Sequence, residues 1–290
     1  MKDFFYRIAY SIIRIIGILP LRLLYIISDL MYVLVFYIIR YRRHVVFINI
    51  RNSFPEKSTR EVRNTAKKFY RNLCDLVIET VHQTGMDEQE IKKRVKYNNP
   101  ELIQEYYDRG KDVAAVLGHY CNWEWMCGFP LITPYKCITI YKPLTNKVFD
   151  NFMLEMRSRF GADLVPMQAA IRKIYEYKKQ GIPSITAFIS DQAPAQGNSM
   201  LWVEFLNQDT AVYPGVERIA KKMDMAVVFF KMKKVKRGYY EFDFIPLFDS
   251  TSDVNDQEIT KAHVSMLEYQ IREQPEHWLW SHRRWKLKRS

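Results

Sequence analysis

Cysteine and glycine are scarce in this chain of 290 residues, which contains four of the first and ten of the second. The cysteines form no Cys-x-x-Cys pair, so neither a zinc site nor a disulfide framework is indicated, and reduced thiols are the simpler interpretation. No glycine-rich loop of the kind that cradles phosphates is present, which argues against nucleotide binding. Internal repeats, low-complexity tracts and long linkers are also absent from the sequence. The first residues do not form a secretory signal, because no short apolar core is followed by a small-residue cleavage site.

Acidic residues are fewer than basic residues: the sequence contains 32 acidic and 44 basic residues, which gives a formal net charge of +12. An anionic partner is therefore expected, whether a membrane surface, a nucleic acid or a phosphorylated substrate. Aromatic residues make up 14% of the chain, and 19 residues are tyrosines. This composition suits sites that are half apolar and half wet, such as a membrane interface. Apolar residues, at 48%, suffice for one large domain or two small ones.

Two apolar segments lie near the start of the sequence, at residues 4–24 and 23–39. Arg7, Arg14 and Arg22 interrupt the first segment, which suits an amphipathic helix at a membrane interface. The second segment, apolar apart from a Ser-Asp pair, would span about 25 Å as a helix, slightly less than the hydrocarbon core of a bilayer. A single tilted span, a helical hairpin in one leaflet and a buried pair of core helices all fit this pattern. The segment is followed at once by Arg40, Arg42 and Arg43. By the positive-inside rule, these arginines place the rest of the chain in the cytosol.

Short apolar runs alternate with helical patterns in the middle of the chain. Buried strands are predicted at residues 113–118, 137–141 and 185–189. Helices are predicted at residues 56–83 and 87–95, near 122–131, 146–160 and 168–180, and at 256–272. A β-hairpin over residues 225–234 and 239–247 would add an antiparallel pair of strands. The predicted fold class is α/β, with a mostly parallel or mixed central sheet flanked by helices.

The pattern His-x4-Asp/Glu occurs three times, at His82 and Asp87, at His119 and Glu124, and at His263 and Glu268. Because about one match is expected by chance, local context must decide among them. His82 ends a polar helix, and His263 lies within a helix, where a residue five positions on is rotated away. His119 instead follows a buried strand, and Asn122 can cap the next helix, so that the turn brings His119 back toward Glu124. Catalytic groups of α/β sheets gather at such strand ends.

The pair at positions 119 and 124 suits general-base chemistry. A neutral histidine can accept a hydroxyl proton, and a carboxylate on its other ring nitrogen fixes the tautomer and stabilises the imidazolium that forms. The acceptor hydroxyl would attack by itself, so no nucleophilic side chain is needed. Two alternatives stay open. Cys121 could act as a thiol nucleophile, although it has no basic neighbour in sequence, and His119 could merely close a strand through hydrogen bonds.

Other blocks of sequence accompany this pair. They include Leu19-Pro20, Tyr41-Arg-Arg43, residues 49–55 and 69–79, Tyr141-Lys-Pro143, Arg157-Ser-Arg-Phe-Gly161, Ser190-Asp-Gln192 and Pro275-Glu-His-Trp-Leu-Trp-Ser-His-Arg-Arg-Trp-Lys286. Together with the apolar strand, His-x4-Glu and a tryptophan-rich helix, they resemble the lysophospholipid acyltransferase superfamily. More specifically, they resemble the late acyltransferases of lipid A biosynthesis, the lauroyl and myristoyl transferases. The resemblance covers nearly the whole chain, and the last block is its most specific part.

The resemblance implies a glycerolipid acyltransferase-like fold, with N-terminal membrane-associated helices at residues 1–44 and an acyltransferase domain at residues 45–290. Within that domain, a helical lead-in at residues 45–110 would precede an α/β catalytic core at residues 111–290. The implied enzyme lies on the cytoplasmic face of a bacterial inner membrane and needs no metal or cofactor. It would transfer a fatty acyl chain from an acyl carrier protein thioester to a hydroxyl of a lipid A precursor.

The resemblance also assigns roles to individual residues. His119 would be the base and Glu124 its orienting partner, while Arg157 or Arg159 would bind a substrate phosphate or the developing oxyanion. Alternatively, these arginines only complement the end of a helix. Further substrate-binding candidates are Tyr141, Lys142, Asp191 and Gln192, and Asp191 could also anchor the site or a neighbouring loop. Phe205-Leu-Asn207 stands where the family often has a Phe-Phe-Gly turn, which leaves acyl chain length and acceptor identity open.

Basic residues cluster in the predicted hairpin, at Lys231, Lys233, Lys234, Lys236 and Arg237. They either line its solvent face or dock the acidic acyl carrier protein. Arg283 and Arg284 stand among tryptophans and favour headgroup or packing roles. Rival hypotheses are a lysophospholipid or aminolipid acceptor and, in another class, a non-catalytic protein that binds anionic membranes. Nucleic acid is disfavoured as a partner, because the positive charge follows apolar segments and forms no recognition module.

Overall fold

The computed structural model describes residue 11, residues 13–195 and residues 200–289. The beginning of the first apolar segment, with Arg7, lies outside these residues. After a helical stretch at residues 13–17, the chain forms α1 (Leu21–Val33), a π-helical turn (Leu34–Ile38), α2 (Arg43–Ser53) and α3 (Thr59–His82). The start of α3 is fixed by a capping box, in which Ser58 and Glu61 satisfy each other's backbone N–H groups. The predicted helix at residues 56–83 is thereby confirmed.

A seven-stranded sheet forms the centre of the molecule. Its strands are β1 (Val95–Tyr97), β2 (Val113–Leu117), β3 (Lys136–Tyr141), β4 (Asp163–Pro166), β5 (Ser184–Ile189), β8 (Ala226–Lys236) and β9 (Tyr239–Phe248). Their order across the sheet is β1-β9-β8-β2-β5-β3-β4. Neighbouring strands are parallel except β8 and β9, which form the predicted antiparallel pair. Every residue of β2 is buried, as expected for a strand covered on both faces.

Helices alternate with these strands, which confirms the predicted α/β class with a mixed sheet. They are α4 (Glu88–Arg94), α5 (Pro100–Asp108), α6 (Lys147–Ser158), α7 (Ala170–Lys179), α8 (Gly215–Met223) and α9 (Glu258–Glu273). The amphipathic pattern of these helices turns an apolar side to the sheet, and α9 packs against β2, β8 and β9. The order of the central strands places the ends of β2, β5 and β3 side by side, and this arrangement positions the candidate site.

The structure differs from the predicted elements at several places, since the sequence patterns do not predict β1, β4, α2, α5 or α8. The helix expected near residues 122–131 is a 3₁₀ helix (Trp123–Ile132) that contains Pro130, and proline cannot supply the N–H of a regular α-helix. The sequence patterns also miss a small antiparallel sheet of β6 (Leu201–Phe205) and β7 (Gln208–Val212). Its turn residues, Leu206 and Asn207, have positive φ angles of 52° and 59°, the conformation that two-residue hairpin turns require.

The apolar helix α1 lies along α3 and is buried on one side only. With its π-helical extension it covers residues Leu21–Ile38, which have a mean hydropathy of 1.8 and are 28% buried. Within the described residues, this is the one helix long and apolar enough to cross a membrane. Its inner face is formed by Leu21, Leu24, Ser28, Tyr32 and Phe36. Its exposed large side chains recur every three or four residues: Leu23, Ile26, Ile27, Leu30, Val33, Leu34, Tyr37 and Ile38.

Candidate active site

Three neighbouring strands end at the candidate site. His119 follows β2, Asp191 and Gln192 follow β5, and Tyr141 is the last residue of β3. Because β2 pairs in parallel with β5, and β5 with β3, their carboxyl ends meet at one edge of the sheet. This is the position where α/β proteins place ligands and catalytic groups.

His119 is held by the carboxylate of Asp191 at two points. Its Nδ1 lies 2.6 Å from Asp191 Oδ1, and its backbone N–H donates to Oδ2 at 2.9 Å. The indole N–H of Trp278 also donates to Oδ2, at 2.8 Å. Burial alone raises the pKa of Asp191, but the charge and hydrogen bonds of His119 and Trp278 outweigh burial and lower that pKa to about 2. Asp191 is therefore ionised at neutral pH and fixes the proton of His119 on Nδ1.

The second ring nitrogen of His119, Nε2, lies beside an exposed side chain. His119 Nε2 lies 3.3 Å from the side-chain nitrogen of Gln192, which is exposed. The imidazole ring packs edge-on against Trp123, with centroids 4.9 Å apart. With Nδ1 engaged by Asp191, Nε2 is the ring atom available to exchange a proton with a bound molecule.

Gly118 allows the close approach of the elements around His119. A Cβ atom at this position would lie 2.6 Å from Leu267 and 3.2 Å from Asp191 Oδ2. The C-terminal block also reaches the site, because the Cys121 N–H donates to the His277 carbonyl and the Leu279 N–H donates to the His119 carbonyl. The block at residues 275–286 is thus joined by its backbone to the segment that carries His119.

Glu124 has a different partner from the one predicted. The expected contact between Glu124 and His119 is replaced in the structure by the contact between Asp191 and His119. Both oxygens of Glu124 instead accept hydrogen bonds from Arg157, at 2.8 Å from Nε and 2.6 Å from Nη2. Trp123 links the Glu124–Arg157 pair to the His119–Asp191 pair. Its indole N–H donates to Glu124 Oε1 at 3.1 Å, and its ring contacts the ring of His119. Desolvation lowers the pKa of Arg157, but the hydrogen bonds and charge of Glu124 outweigh it and raise that pKa.

The backbone explains why Glu124 turns away. Cys121 has a positive φ of 51°, so the chain reverses sharply between His119 and the 3₁₀ helix. Asn122 makes no side-chain cap on that helix, contrary to the prediction. It is fully buried and donates to Glu79 Oε2 at 2.7 Å. The segment therefore points Glu124 toward α6 and Arg157.

The other predicted substrate-binding residues differ in exposure and in their distance from His119 along the fold. Tyr141 is half-buried, and Lys142 is exposed directly after β3. Arg159 does not join the group around His119. It donates to the Thr84 carbonyl at 2.5 Å and lines a separate cavity of about 240 Å³ beside α6.

In the two other His-x4-Asp/Glu matches, the histidine contacts a residue other than the acid of its pattern. His82 lies 3.1 Å from Glu90 through Nε2 and 3.0 Å from the Gly17 carbonyl through Nδ1. His263 is buried in α9, and its Nε2 lies within hydrogen-bonding distance of the Ser190 hydroxyl, at 3.3 Å. The thiol alternative is also weakened, because burial raises the pKa of Cys121 and the nucleophile would have to be a thiolate.

Most of the basic hairpin residues are neutralised locally. Lys231 pairs with Glu273 at 2.6 Å, while Lys234 and Arg237 share Asp75. Lys233 is exposed, and Lys236 lies over the ring of Tyr239. Arg284, for which a headgroup or packing role was expected, is 3% exposed and lines a small cavity with Asp191.

The sequence patterns did not indicate that Trp278 donates to Asp191 or that Trp123 donates to Glu124. The density of tryptophans in the segments that carry them was the only available signal. Glu79 was missed as well, although it closes a block that resembles the acyltransferases. Among the described residues, no group of three or more histidine, cysteine, aspartate and glutamate side chains is arranged to hold a metal ion.

Fold and site together define an α/β protein with a histidine–carboxylate pair at adjacent strand ends. Within the described part of the chain, no serine or cysteine side chain is hydrogen-bonded to that histidine. The pair is thus suited to activating a molecule that binds, rather than a nucleophile of the protein itself.

The family is shown by comparison with known sequences. The family described as bacterial lipid A biosynthesis acyltransferase matches residues 3–287, and the chain belongs to that family. No curated protein matches the chain in a direct comparison.

Proposed function

We propose that this protein transfers a fatty acyl chain from an acyl carrier protein thioester to a hydroxyl of a lipid A precursor. The observation that carries the proposal is the contact of His119 Nδ1 with the ionised Asp191, which leaves Nε2 beside the exposed Gln192. Family membership supplies the reaction class. Donor, acceptor and mechanism are our inference from the two together.

In the proposed reaction, His119 Nε2 takes the proton of the acceptor hydroxyl as its oxygen attacks the thioester carbonyl carbon. The negative charge of Asp191 stabilises the imidazolium that forms. The carbon–sulfur bond then breaks, and the departing thiolate takes the proton from His119. The products are an ester and the free thiol of the carrier, and His119 is again neutral.

Glu124 is proposed to act through Arg157. Glu124 accepts hydrogen bonds from Nε and Nη2 of Arg157, so the orientation of the guanidinium is fixed. Its Nη1 would then donate to a substrate phosphate or to the developing oxyanion. Tyr141, Lys142 and Gln192 are proposed to contact substrate at the same edge of the sheet. The role of Arg159 is proposed to be the binding of a phosphate away from His119, since it lines a different cavity.

The exposed stripe of α1 supports a position on the cytoplasmic face of a bacterial inner membrane. A one-sided apolar helix with arginines at its ends suits an anionic membrane interface. Docking of acyl carrier protein on the β8–β9 hairpin now depends on Lys233 and Lys236, because the other cations of the hairpin have acidic partners or are partly buried.

One assay tests the proposed function. Purified protein in detergent receives acyl carrier protein thioester and a panel of acceptors: a lipid A precursor, a lysophospholipid and an aminolipid. We expect wild type to acylate the lipid A precursor and His119→Ala to lose at least about 100-fold in kcat. His44→Ala, at an exposed histidine, is the matched control and should retain activity. A fully active His119→Ala would refute the mechanism, and a wild-type protein that acylates nothing would favour the membrane-binding alternative.

A further inference from the structure

A buried carboxylate stands behind the catalytic segment, outside the group of residues assigned above. Glu79 of α3 is fully buried and accepts three hydrogen bonds from side chains. The donors are Tyr25 at 2.7 Å, Asn122 at 2.7 Å and Tyr240 at 2.6 Å. Burial raises the pKa of Glu79, and the charge of Lys234 and the three hydrogen bonds oppose that effect. A buried acid that relies on neutral donors stabilises a fold less than an apolar residue of the same size, so packing does not explain its presence.

Asn122 connects this carboxylate to the catalytic segment. Asn122 lies between His119 and Glu124, at the sharp turn that Cys121 makes with its positive φ. Its amide points to Glu79 and does not cap the 3₁₀ helix. The indole N–H of Trp125 donates to the backbone carbonyl of Glu79 at 3.2 Å. Glu79 therefore holds the segment on both sides of Glu124.

Tyr25 connects the same carboxylate to the apolar helix α1. It lies on the side of α1 that faces α3, close to Ser28, which donates to Asp75 at 2.7 Å. The opposite side of α1 carries the exposed apolar stripe. Any movement of α1 against α3 must therefore stretch or break the hydrogen bond between Tyr25 and Glu79.

We propose that Glu79 is a positioning residue with two connections. Through Asn122 it fixes the segment that carries His119 and Glu124. Through Tyr25 it makes the geometry of that segment depend on how α1 packs against α3. The inference rests on the proposed function, because it concerns the residues that would perform that reaction. Glu79 touches no reacting atom in this scheme. A lipid surface that presses α1 against α3 would act on the site through this network.

Single-atom changes test the connection. Tyr25→Phe removes one hydroxyl from the network, and Tyr37→Phe removes one from the exposed side of the same helical segment as a matched control. We expect Tyr25→Phe to lower kcat by about three- to tenfold and Asn122→Ala by about tenfold or more, with KM within about twofold, since small displacements of catalytic groups are costly. Tyr37→Phe should match wild type.

Two variants of Glu79 separate hydrogen bonding from folding. Glu79→Gln keeps an oxygen for Asn122 and Tyr240 and should retain kcat within about threefold, whereas Glu79→Ala should lose about tenfold or more. Thermal unfolding of each variant identifies any that fail to fold. Tyr25→Phe removes only one hydrogen bond, so it still tests the proposal if Glu79→Ala does not fold.

Hydrogen exchange gives a readout that does not need activity. We expect faster amide exchange over residues 118–126 in Tyr25→Phe than in wild type, and unchanged exchange in Tyr37→Phe. The proposal is overturned if Tyr25→Phe leaves both kcat and exchange unchanged, or if Glu79→Ala folds and retains full kcat. If wild type lacks acyl transfer altogether, the proposed function fails, and the exchange experiment still decides whether α1 and the segment are connected.

Discussion

Two carboxylates flank His119, and each has a different partner. Asp191 contacts the ring nitrogen of His119, whereas Glu124 holds the guanidinium of Arg157. The two acids should therefore contribute to different steps. In the proposed reaction, Asp191 would stabilise His119 as it gains a proton, and Glu124 would fix Arg157 next to the place where negative charge develops.

Asp191→Asn preserves the size of the side chain but removes its charge. We expect kcat to fall by about 100- to 10,000-fold, because the imidazolium loses its stabilising partner. KM should change much less than kcat, because Asp191 contacts His119 and Trp278 rather than the substrate in the proposed reaction. Since the pKa of Asp191 is about 2, its charge is constant across the assay range. Asp209→Asn, at an exposed position, is the control, and an unchanged kcat for Asp191→Asn would contradict this role.

Substitutions of Cys121 test the alternative that its thiol is the nucleophile. Its side chain is buried, its thiol pKa is raised by burial, and its contribution should be conformational. We expect Cys121→Ser and Cys121→Ala to keep kcat within about fivefold of wild type, and brief treatment with a maleimide to leave wild type active. Loss of all activity in both folded variants would instead indicate a nucleophilic thiol.

At the scale of elements, polar contacts centred on the buried Asp75 hold α1 against α3 and the β8–β9 hairpin. Asp75 of α3 accepts hydrogen bonds from Ser28, Lys234 and Arg237. Arg237 also reaches Asp29 at 2.8 Å. These contacts join α1, α3 and the β8–β9 hairpin, so α1 is packed as part of the protein along its inner face and apolar along its outer face.

Asp75→Ala would leave two partly buried cations without their shared partner. We expect it to lower the free energy of unfolding by about 3 kcal/mol, as removal of one member of a buried ion pair does. Asp29→Ala removes an exposed partner of the same arginine and should cost less than about 1 kcal/mol. Urea unfolding in detergent measures both, and equal losses from the two variants would show that burial of Asp75 does not matter.

At the scale of the whole molecule, buried and half-buried histidines make folding sensitive to acid. Burial lowers the pKa of His263, His277 and His282 to about 4. In the unfolded chain, histidine takes up its proton near the ordinary value of 6.5. Between these values the unfolded state binds more protons, so stability is lost as the pH falls from about 6.5 toward 4.

Removal of one such histidine should reduce this dependence. We expect the Tm of wild type to fall steadily between pH 6.5 and 4.5, and the fall to be shallower in His263→Phe, because one protonation site of the unfolded chain is gone. His44→Phe, at an exposed site, should keep the wild-type slope. Differential scanning calorimetry of the three proteins in the same detergent gives the comparison, and parallel slopes for all three would rule out this explanation.

Local sequence patterns determined much of the fold. Apolar runs and helical periodicity report which faces are buried, and they predict β2, β3 and β5, most of the helices and the β8–β9 hairpin. They also place His119 at the end of a buried strand. The patterns fail at the 3₁₀ helix that follows, where Pro130 and the positive φ of Cys121 override helical spacing.

Only the tertiary structure decided which side chains meet. The sequence marked His119, Glu124, Arg157 and Asp191 as site residues, but spacing suggested that the first two form the pair. Periodicity does not reveal strand order, and the order β2-β5-β3 brings Asp191 to His119 from 72 positions away. The same folding carries Glu124 to Arg157 and the C-terminal block to the site. A contact between distant residues depends on which strands become neighbours, and that is settled by packing of the whole chain.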